Sequence, residues 1–259
     1  MEEIKQMLIE KVGPLIREMI CEIENNKYST EKCCWPFMPY IGSKYSTSNK
    51  KILIVGKATK GWGGDGGAGK LSEVIKKPDF LKCLSELTDN FIKKRVTPYY
   101  AGSNDKNNYQ SSFWRRIYRL TSALLNGESE LPEYKLDPVK STECFESIAW
   151  TNIFKISAIE GNPPKELINI IKNLCIEALY KEIEVLQPNI ILFSTGKSYD
   201  CYLKEFLNIS DSDIDSNKEI TSIKIKDFDG VAFRTTHFQA LRNSKLEELY
   251  NTLKGKKIQ

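Results

Sequence analysis

The sequence predicts an α/β fold in which helices pack on a mainly parallel β-sheet. Short apolar runs, bounded by glycine or polar residues, alternate with longer segments whose apolar residues recur at helical spacing. This alternation is typical of parallel sheets, because each helix makes the crossover between two parallel strands. No internal repeat and no second-domain boundary interrupts the order, so we expect the sheet to organise one main domain.

The first 50 residues precede the alternating pattern. Residues 4–24 predict an amphipathic helix from apolar side chains at helical spacing. These side chains are Leu8, Val12, Leu15, Ile16, Met19 and Ile23. Residues 25–50 are polar and predict a loop with an aromatic cluster. The cluster consists of Trp35, Phe37 and Tyr40. We expect residues 1–50 to form an N-terminal extension and residues 51–259 to form the main domain.

Several short segments predict strands. Residues 52–55 form a continuous apolar run that ends at a glycine, as expected for a strand buried on both faces. Residues 147–154 and 189–193 predict two more strands. Residues 223–225 and 231–235 flank the sequence Asp-Phe-Asp-Gly, which predicts a hairpin turn.

Five segments after the extension predict helices. They are 71–94 with an interruption near Pro78, 113–125, 163–186, a segment that starts near 197, and 244–253. The third of these starts at two prolines. Its predicted apolar face consists of Leu167, Ile170, Leu174, Ala178, Ile183 and Leu186. Residues 61–69 contain too much glycine for regular structure.

The composition is that of a soluble globular protein. The chain has 259 residues, of which 41% are hydrophobic and 28% are charged. No run approaches the ~20 apolar residues of a membrane span, and the N-terminus lacks the pattern of a secretory signal. We therefore expect a cytoplasmic protein that does not bind membranes.

Charge and cysteine content narrow the function classes. The net charge of +4 permits nucleic-acid binding without indicating it. The seven cysteines are odd in number and scattered, and no C-x-x-C pair occurs among them. We therefore expect neither a disulfide framework nor a zinc site, and we predict no metal and no cofactor.

Four predicted loops follow predicted strands. In open α/β sheets, ligands bind beyond the carboxyl ends of the strands. Residues 56–69, 152–155, 194–197 and 237–242 all lie at such ends. We expect these four loops to converge on one crevice.

Five segments carry a resemblance to a known family. They are Ile-Leu-Ile-Val-Gly-Lys-Ala-Thr at 52–59, Phe-Trp-Arg-Arg-Ile-Tyr at 113–118, Thr-Asn-Ile-Phe-Lys at 151–155, Leu-Gln-Pro-Asn-Ile-Ile-Leu with a later glycine at 186–196, and His-Phe-Gln-Ala-Leu-Arg-Asn at 237–243. In this order they resemble the strand-end motifs of the uracil-DNA glycosylase superfamily. The resemblance implies a three-layer α/β/α sandwich around a central, mainly parallel, four-stranded sheet.

The resemblance also implies an activity. Such a protein is a monofunctional DNA glycosylase: it flips a nucleotide out of the helix and hydrolyses the N-glycosidic bond with water. We expect a monomer whose partner is DNA. Charge develops on the departing base, and a histidine donor stabilises it, a role that we assign to His237.

Other residues receive roles from the same resemblance. An amide reads a pyrimidine edge with one donor and one acceptor, and we assign this role to Asn152; the alternative is an asparagine that caps a strand end. Trp62 is assigned to stack on the base, and Lys57 is placed in the base-binding site. The candidate wedge residues are Phe238 and Leu241, with core packing of the next helix as the alternative. The candidate phosphate contacts are Arg242 and Lys245.

The sequence departs from the family pattern in three places. Lys57 stands where the family has a water-activating residue, so we assign water positioning to the nearby Asp65, whose alternative is a turn aspartate. Phe238 replaces the usual proline, which predicts a reshaped base pocket and favours a modified pyrimidine. Cys175 matches a cluster ligand of the iron-sulfur branch, but Ile156 replaces another, so we expect no cluster.

Two other function classes remain open. Residues 64–70 fit the P-loop pattern G-x-x-x-x-G-K, although Leu71 stands where the magnesium-binding Ser or Thr belongs. A non-catalytic DNA-binding protein of the same fold is the other alternative, and Lys57 is its main support. Replacing Asp65 by asparagine would separate this binder from an enzyme.

Overall fold

The computed structural model describes residues 2–58, 62–63, 69–96, 112–132, 138–209 and 214–256. The eight α-helices of this part are α1 (Glu2–Asn25), α2 (Leu71–Val74), α3 (Phe80–Phe91), α4 (Ser112–Asn126), α5 (Pro138–Glu146), α6 (Lys165–Leu186), α7 (Asp200–Leu207) and α8 (Asn243–Lys254). Its six strands are β1 (Tyr40–Ile41), β2 (Ile52–Gly56), β3 (Ile148–Asn152), β4 (Ile190–Phe193), β5 (Ile220–Ile223) and β6 (Val231–Thr235). None of the described helices is long and apolar enough to cross a membrane.

The strands form a mixed sheet in the order β1-β3-β2-β4-β6-β5. β4 pairs in parallel with β2 and β6, so that Leu192 lies beside Ile54 and Phe233. β5 pairs antiparallel with β6. All residues of β2, β3 and β4 are buried, which explains the continuous apolar runs of β2 and β4.

The α/β class is confirmed, but the expected number of strands is wrong. The sheet has six strands in the described residues, not four. β1 is only two residues long, too short to leave a periodic signal, and β5 is an edge strand whose residues are mostly half-exposed. The hairpin is present, but its first strand is 220–223 and not 223–225, so the connection is longer than a tight turn.

Contacts between Cα atoms divide the chain into two compact units. The first consists of Met1–Tyr40, Gly56–Asp89 and Trp150–Gln187, and the second of Ile41–Val55, Asn90–Ala149 and Pro188–Gln259. Within the first unit, α1 packs along α6. Within the second, α4 packs against α5 and α8.

Helix α1 follows the predicted pattern, whereas α6 follows it only in part: Leu167, Ala178 and Leu186 are buried as predicted. Ile170, Leu174 and Ile183 of α6 are only partly buried. The buried face also includes residues that were not predicted, among them Ile171, Cys175, Leu179 and Glu182. Glu182 places a buried carboxylate on this face. Its ion-pair partner, Lys155, lies outside the helix, so the apolar pattern of the helix alone does not reveal that Glu182 is buried. Helix α5 was not predicted.

Candidate functional site

Asn152, the last residue of β3, is the centre of the candidate site in the first unit. It is 2% exposed, and its side-chain Nδ2 has no hydrogen-bond partner among the described residues. Most buried polar groups in proteins are paired, so a buried amide donor of this kind calls for a physical explanation. The sequence placed Asn152 at a strand end, and the structure confirms that location.

Gly56, the last residue of β2, lies against the Asn152 amide. A Cβ atom at Gly56 would lie 2.3 Å from Asn152 Oδ1 and 3.5 Å from Trp150 Nε1. The main chains continue side by side: Ile153 N donates to Gly56 O at 2.9 Å and Phe154 N donates to Lys57 O at 3.0 Å. Only a residue without a side chain leaves the amide this space.

A buried ionic cluster holds the main-chain carbonyl of Asn152. Lys155 Nζ donates to Asn152 O at 2.7 Å, to Thr151 Oγ1 at 2.8 Å and to Glu182 Oε2 at 2.7 Å. Thr151 Oγ1 donates in turn to Glu182 Oε2 at 2.9 Å. Lys155, Thr151 and Glu182 are all 0% exposed. We call these three residues the clamp.

Burial dominates the electrostatics of the clamp. It raises the pKa of the Glu182 carboxyl, and the charge and hydrogen bonds of Lys155 and the hydroxyl of Thr151 act in the opposite direction. Sequence reasoning identified the Thr-Asn-x-x-Lys pattern but missed Glu182. The available signal was a single acidic residue on the otherwise apolar face of α6.

Trp150, two residues before Asn152 on β3, belongs to a group of aromatic side chains in the same unit. The rings of Phe37 and Trp150 meet edge to face with centroids 4.8 Å apart. Trp62 contacts both in the same manner, at 5.3 Å from Phe37 and 6.2 Å from Trp150. Trp62, to which we assigned base stacking, is 7% exposed and belongs to this aromatic group.

Residues 33–37 of the N-terminal extension pair with the strand-end loops. Cys34 N donates to Ser157 O at 2.9 Å, and Phe37 N donates to Lys155 O at 2.7 Å. Trp35 N lies 3.2 Å from the carbonyl oxygens of both Trp62 and Gly69. The extension is therefore hydrogen-bonded to the loops that follow β2 and β3. The aromatic residues of this segment were visible in the sequence, but their hydrogen-bond partners were not.

Lys57 is half-buried immediately beyond the end of β2. Burial lowers the pKa of its amine from the ordinary value, because the charged form loses hydration. Asp65, to which we assigned water positioning, lies outside the described residues. The first unit thus brings together Asn152, Trp62 and the main chain of Lys57.

The second unit carries His237, two residues beyond β6. Its ring stacks on Phe113, with centroids 5.0 Å apart and an angle of 22° between the planes. His237 Nδ1 accepts a hydrogen bond from Gln239 N at 3.4 Å. A neutral imidazole whose Nδ1 accepts carries its proton on Nε2 and can donate from that nitrogen.

Hydrogen bonds fix the turn that contains His237. Phe238 N donates to Ser194 Oγ at 2.7 Å, which ties the turn to the end of β4. Arg116 Nη1 lies 2.7 Å from the carbonyl oxygens of both Phe238 and Gln239. Arg116 lies in the Phe-Trp-Arg-Arg segment and Ser194 in the segment 186–196, so the second unit brings residues of three of the five family-like segments together.

The residues assigned to DNA contacts follow His237 in the sequence. Phe238 and Leu241 are both 0% exposed, which agrees with the core-packing alternative, and the wedge role stays a prediction. Arg242 forms an exposed ion pair with Glu219 at 2.6 Å, and Lys245 pairs with Glu248. A phosphate would have to compete with these carboxylates.

The described residues give little support to a P-loop, an iron-sulfur cluster or a metal site. Lys70 of the P-loop-like segment forms an exposed ion pair with Glu31 at 2.9 Å. Cys175 is buried with its sulfur 3.8 Å from Met19 Sδ, and burial raises the pKa of its thiol to about 12. Within the ranges that the structure describes, no cluster of histidine, cysteine and acidic residues could hold a metal ion.

Comparison with known families adds no assignment to this geometry. No protein-family model matches the chain. No curated protein matches it either.

Proposed function

We propose that this protein is a DNA glycosylase of the uracil-DNA glycosylase type, with a three-layer α/β/α sandwich fold. It would bind a flipped pyrimidine, with modified pyrimidines as candidate substrates, and hydrolyse its N-glycosidic bond to leave an abasic site. The observation that carries the proposal is the buried amide of Asn152, whose donor lacks a partner among the described residues.

An unpaired buried donor has a cost that a ligand can remove. Leaving such a group without a partner costs about 1–3 kcal/mol of stability. A pyrimidine carbonyl oxygen or ring nitrogen would accept from Asn152 Nδ2 and would recover that cost on binding. The rings of Phe37 and Trp62 contact Trp150, which lies two residues before Asn152 on β3, and this aromatic group would supply apolar surface for the base.

The chemistry assigns complementary roles to the remaining residues. Cleavage of the glycosidic bond leaves negative charge on the departing base and positive charge on the sugar. The Nε2 proton of His237 would stabilise the leaving anion, and Asp65 would position the water and face the sugar cation. Lys57 would add a donor to the base-binding site. This activity suits DNA repair or defence against phage DNA with modified bases.

The test is a base-excision assay on a panel of substrates. Duplex and single-stranded oligonucleotides would carry uracil, hydroxymethylcytosine or glucosylated hydroxymethylcytosine, and alkali would reveal abasic sites as strand breaks. We expect breaks with one of these bases for the wild type and their loss in His237→Ala. Intact strands with every substrate would refute the proposal.

One observation favours a second candidate, a non-catalytic DNA-binding protein of the same fold. The position after Gly56 holds a half-buried lysine, which cannot activate water as a carboxylate does while it is protonated. An Asp65→Asn variant separates the two candidates. A glycosylase would lose excision and keep DNA binding, whereas a binder would show no excision before or after the change.

A further inference from the structure

The buried ion pair of the clamp next to Asn152 is not required for the stability of the fold. A buried ion pair pays a large desolvation penalty, and its replacement by apolar side chains is often neutral or stabilising. Glu182 uses only one oxygen in the clamp, and its Oε1 has no hydrogen-bond partner among the described residues. The pair therefore contributes little net stability by itself. It does, however, hold the main-chain carbonyl of Asn152.

The geometry of the clamp saturates the lysine ammonium. Its three N–H donors meet three acceptors: Thr151 Oγ1, Glu182 Oε2 and the carbonyl oxygen of Asn152. The main chain of Lys155 is fixed as well, since its carbonyl accepts from Phe37 N. On the other side, Gly56 O accepts from Ile153 N. The backbone is thus fixed on both sides of the Asn152 amide.

We propose that Lys155 and Glu182 are positioning residues that hold the side-chain amide of Asn152 in one orientation, ready for a pyrimidine edge. The proposal rests on the proposed function for the role of Asn152, but the ordering of the amide is a separate property. Pre-organisation lowers the entropy lost when the base binds. A displacement of about 1 Å at a reacting centre lowers rates by up to roughly a hundredfold.

The test replaces the whole clamp by apolar side chains of similar size. The triple variant Thr151→Val, Lys155→Met and Glu182→Leu removes both charges and the hydroxyl together, so no clamp side chain is left as a buried unpaired group. The matched control is Lys11→Gln with Glu184→Gln, which removes an exposed ion pair between α1 and the same helix α6. Thermal unfolding reports whether each variant folds.

Two readouts follow the amide and the reaction separately. The side-chain amide resonances of Asn152 are identified in ¹⁵N spectra by their loss in Asn152→Asp. We expect them to shift toward free-amide positions and to broaden in the triple variant, and to stay unchanged in the control. We also expect the single-turnover excision rate to fall about 10- to 100-fold at an unchanged melting temperature and DNA affinity.

The outcomes separate this proposal from the proposed function. Wild-type amide resonances together with a wild-type excision rate in the triple variant would overturn the clamp and leave the glycosylase intact. If the wild type excises no base, the glycosylase fails and the resonances alone decide: a changed amide supports the clamp and an unchanged amide overturns it. If the triple variant does not fold, Thr151→Val alone must show a smaller change in the same direction.

Discussion

At the scale of single residues, the site depends on the close approach of Gly56 to Asn152. Their separation leaves no room for a Cβ atom, which would lie 2.3 Å from Asn152 Oδ1. The neighbouring carbonyl of Asn152 is held by Lys155, so the backbone cannot retreat easily. The amide must therefore absorb most of any intrusion.

Gly56→Ala tests this dependence. We expect a loss of about 1–3 kcal/mol in the free energy of unfolding from overpacking, together with a fall of at least about tenfold in excision, because the amide is displaced. Gly161→Ala is the matched control, since a Cβ there meets no atom within 4 Å. Equal stability and equal excision in the two variants would contradict the close approach.

Lys57 gives a prediction on pH. Its pKa is lowered in the folded state, so folding binds fewer protons and the charged amine destabilises the fold. This cost is fully present below the folded-state pKa and disappears as the pH rises toward the ordinary value of 10.5. We expect the difference in melting temperature between Lys57→Met and the wild type to favour the variant most at neutral pH and to shrink as the pH rises. A difference that stays constant up to that pH would show that the amine is not desolvated.

At the scale of elements, residues 33–37 link the N-terminal extension to the glycine-rich loop. Gly63 has a positive φ of 103°, and a Cβ there would lie 2.3 Å from the Trp35 ring. Two properties thus require glycine at this position, the backbone conformation and the packed tryptophan. Their contributions can be separated.

Gly63→Ala and Gly127→Ala form the pair that separates them. Gly127 also has a positive φ, of 64°, but a Cβ there meets nothing within 4 Å. We expect Gly127→Ala to cost about 1–2 kcal/mol from backbone strain alone, and Gly63→Ala to cost more because Trp35 must move. Chemical denaturation measures both values. A Gly63→Ala variant no less stable than Gly127→Ala would rule out the packing of residues 33–37 on this loop.

The sequence predicts elements well where the signal is local. Helices α1, α4 and α8 lie within one or two residues of their predicted bounds, because their apolar spacing and end signals are contained in one segment. The apolar face of α6 was predicted only in part, because the helix sequence does not show that Glu182 is buried against Lys155. Strand β1 was missed because two residues cannot show a period, and its pairing partner is distant in sequence.

At the scale of the whole molecule, the exposure of each cysteine shows which parts of the chain are buried. The seven cysteines all lie in the described part of the chain and form no disulfide. Cys21 and Cys201 are exposed, and Cys83 is half-buried. The others are buried, and burial raises the pKa of each of their thiols. Thiolates are the reactive form, so reactivity follows this division.

Thiol labelling of the native protein therefore has an expected count. With a thiol reagent at pH 8, we expect two fast reactions, at Cys21 and Cys201, and a slower one at Cys83. The four buried thiols should react only after denaturation, and peptide mass spectrometry assigns each site. Rapid labelling of Cys144 or Cys175 in the native protein would show that the core opens more than this packing allows.

The candidate site was predictable in part. The strand-end glycine and amide of the first unit and the histidine of the second could each be identified, because a strand followed by a loop is a local pattern. β2, β3 and β6 end near the expected positions. The clamp partner Glu182 and the hydrogen bonds of residues 33–37 with the strand-end loops could not be identified. Both depend on pairing between segments far apart in sequence, which no single stretch of residues encodes.

We propose that Asn152 reads a base that this protein excises. The most direct measurement is the free base released from modified DNA, identified by mass spectrometry under single-turnover conditions. We expect release of one pyrimidine by the wild type and by Asn26→Ala, an exposed asparagine at the end of α1, and at least about a tenfold slower release by Asn152→Ala. Equal release by all three proteins, or release by none of them, would contradict the claim.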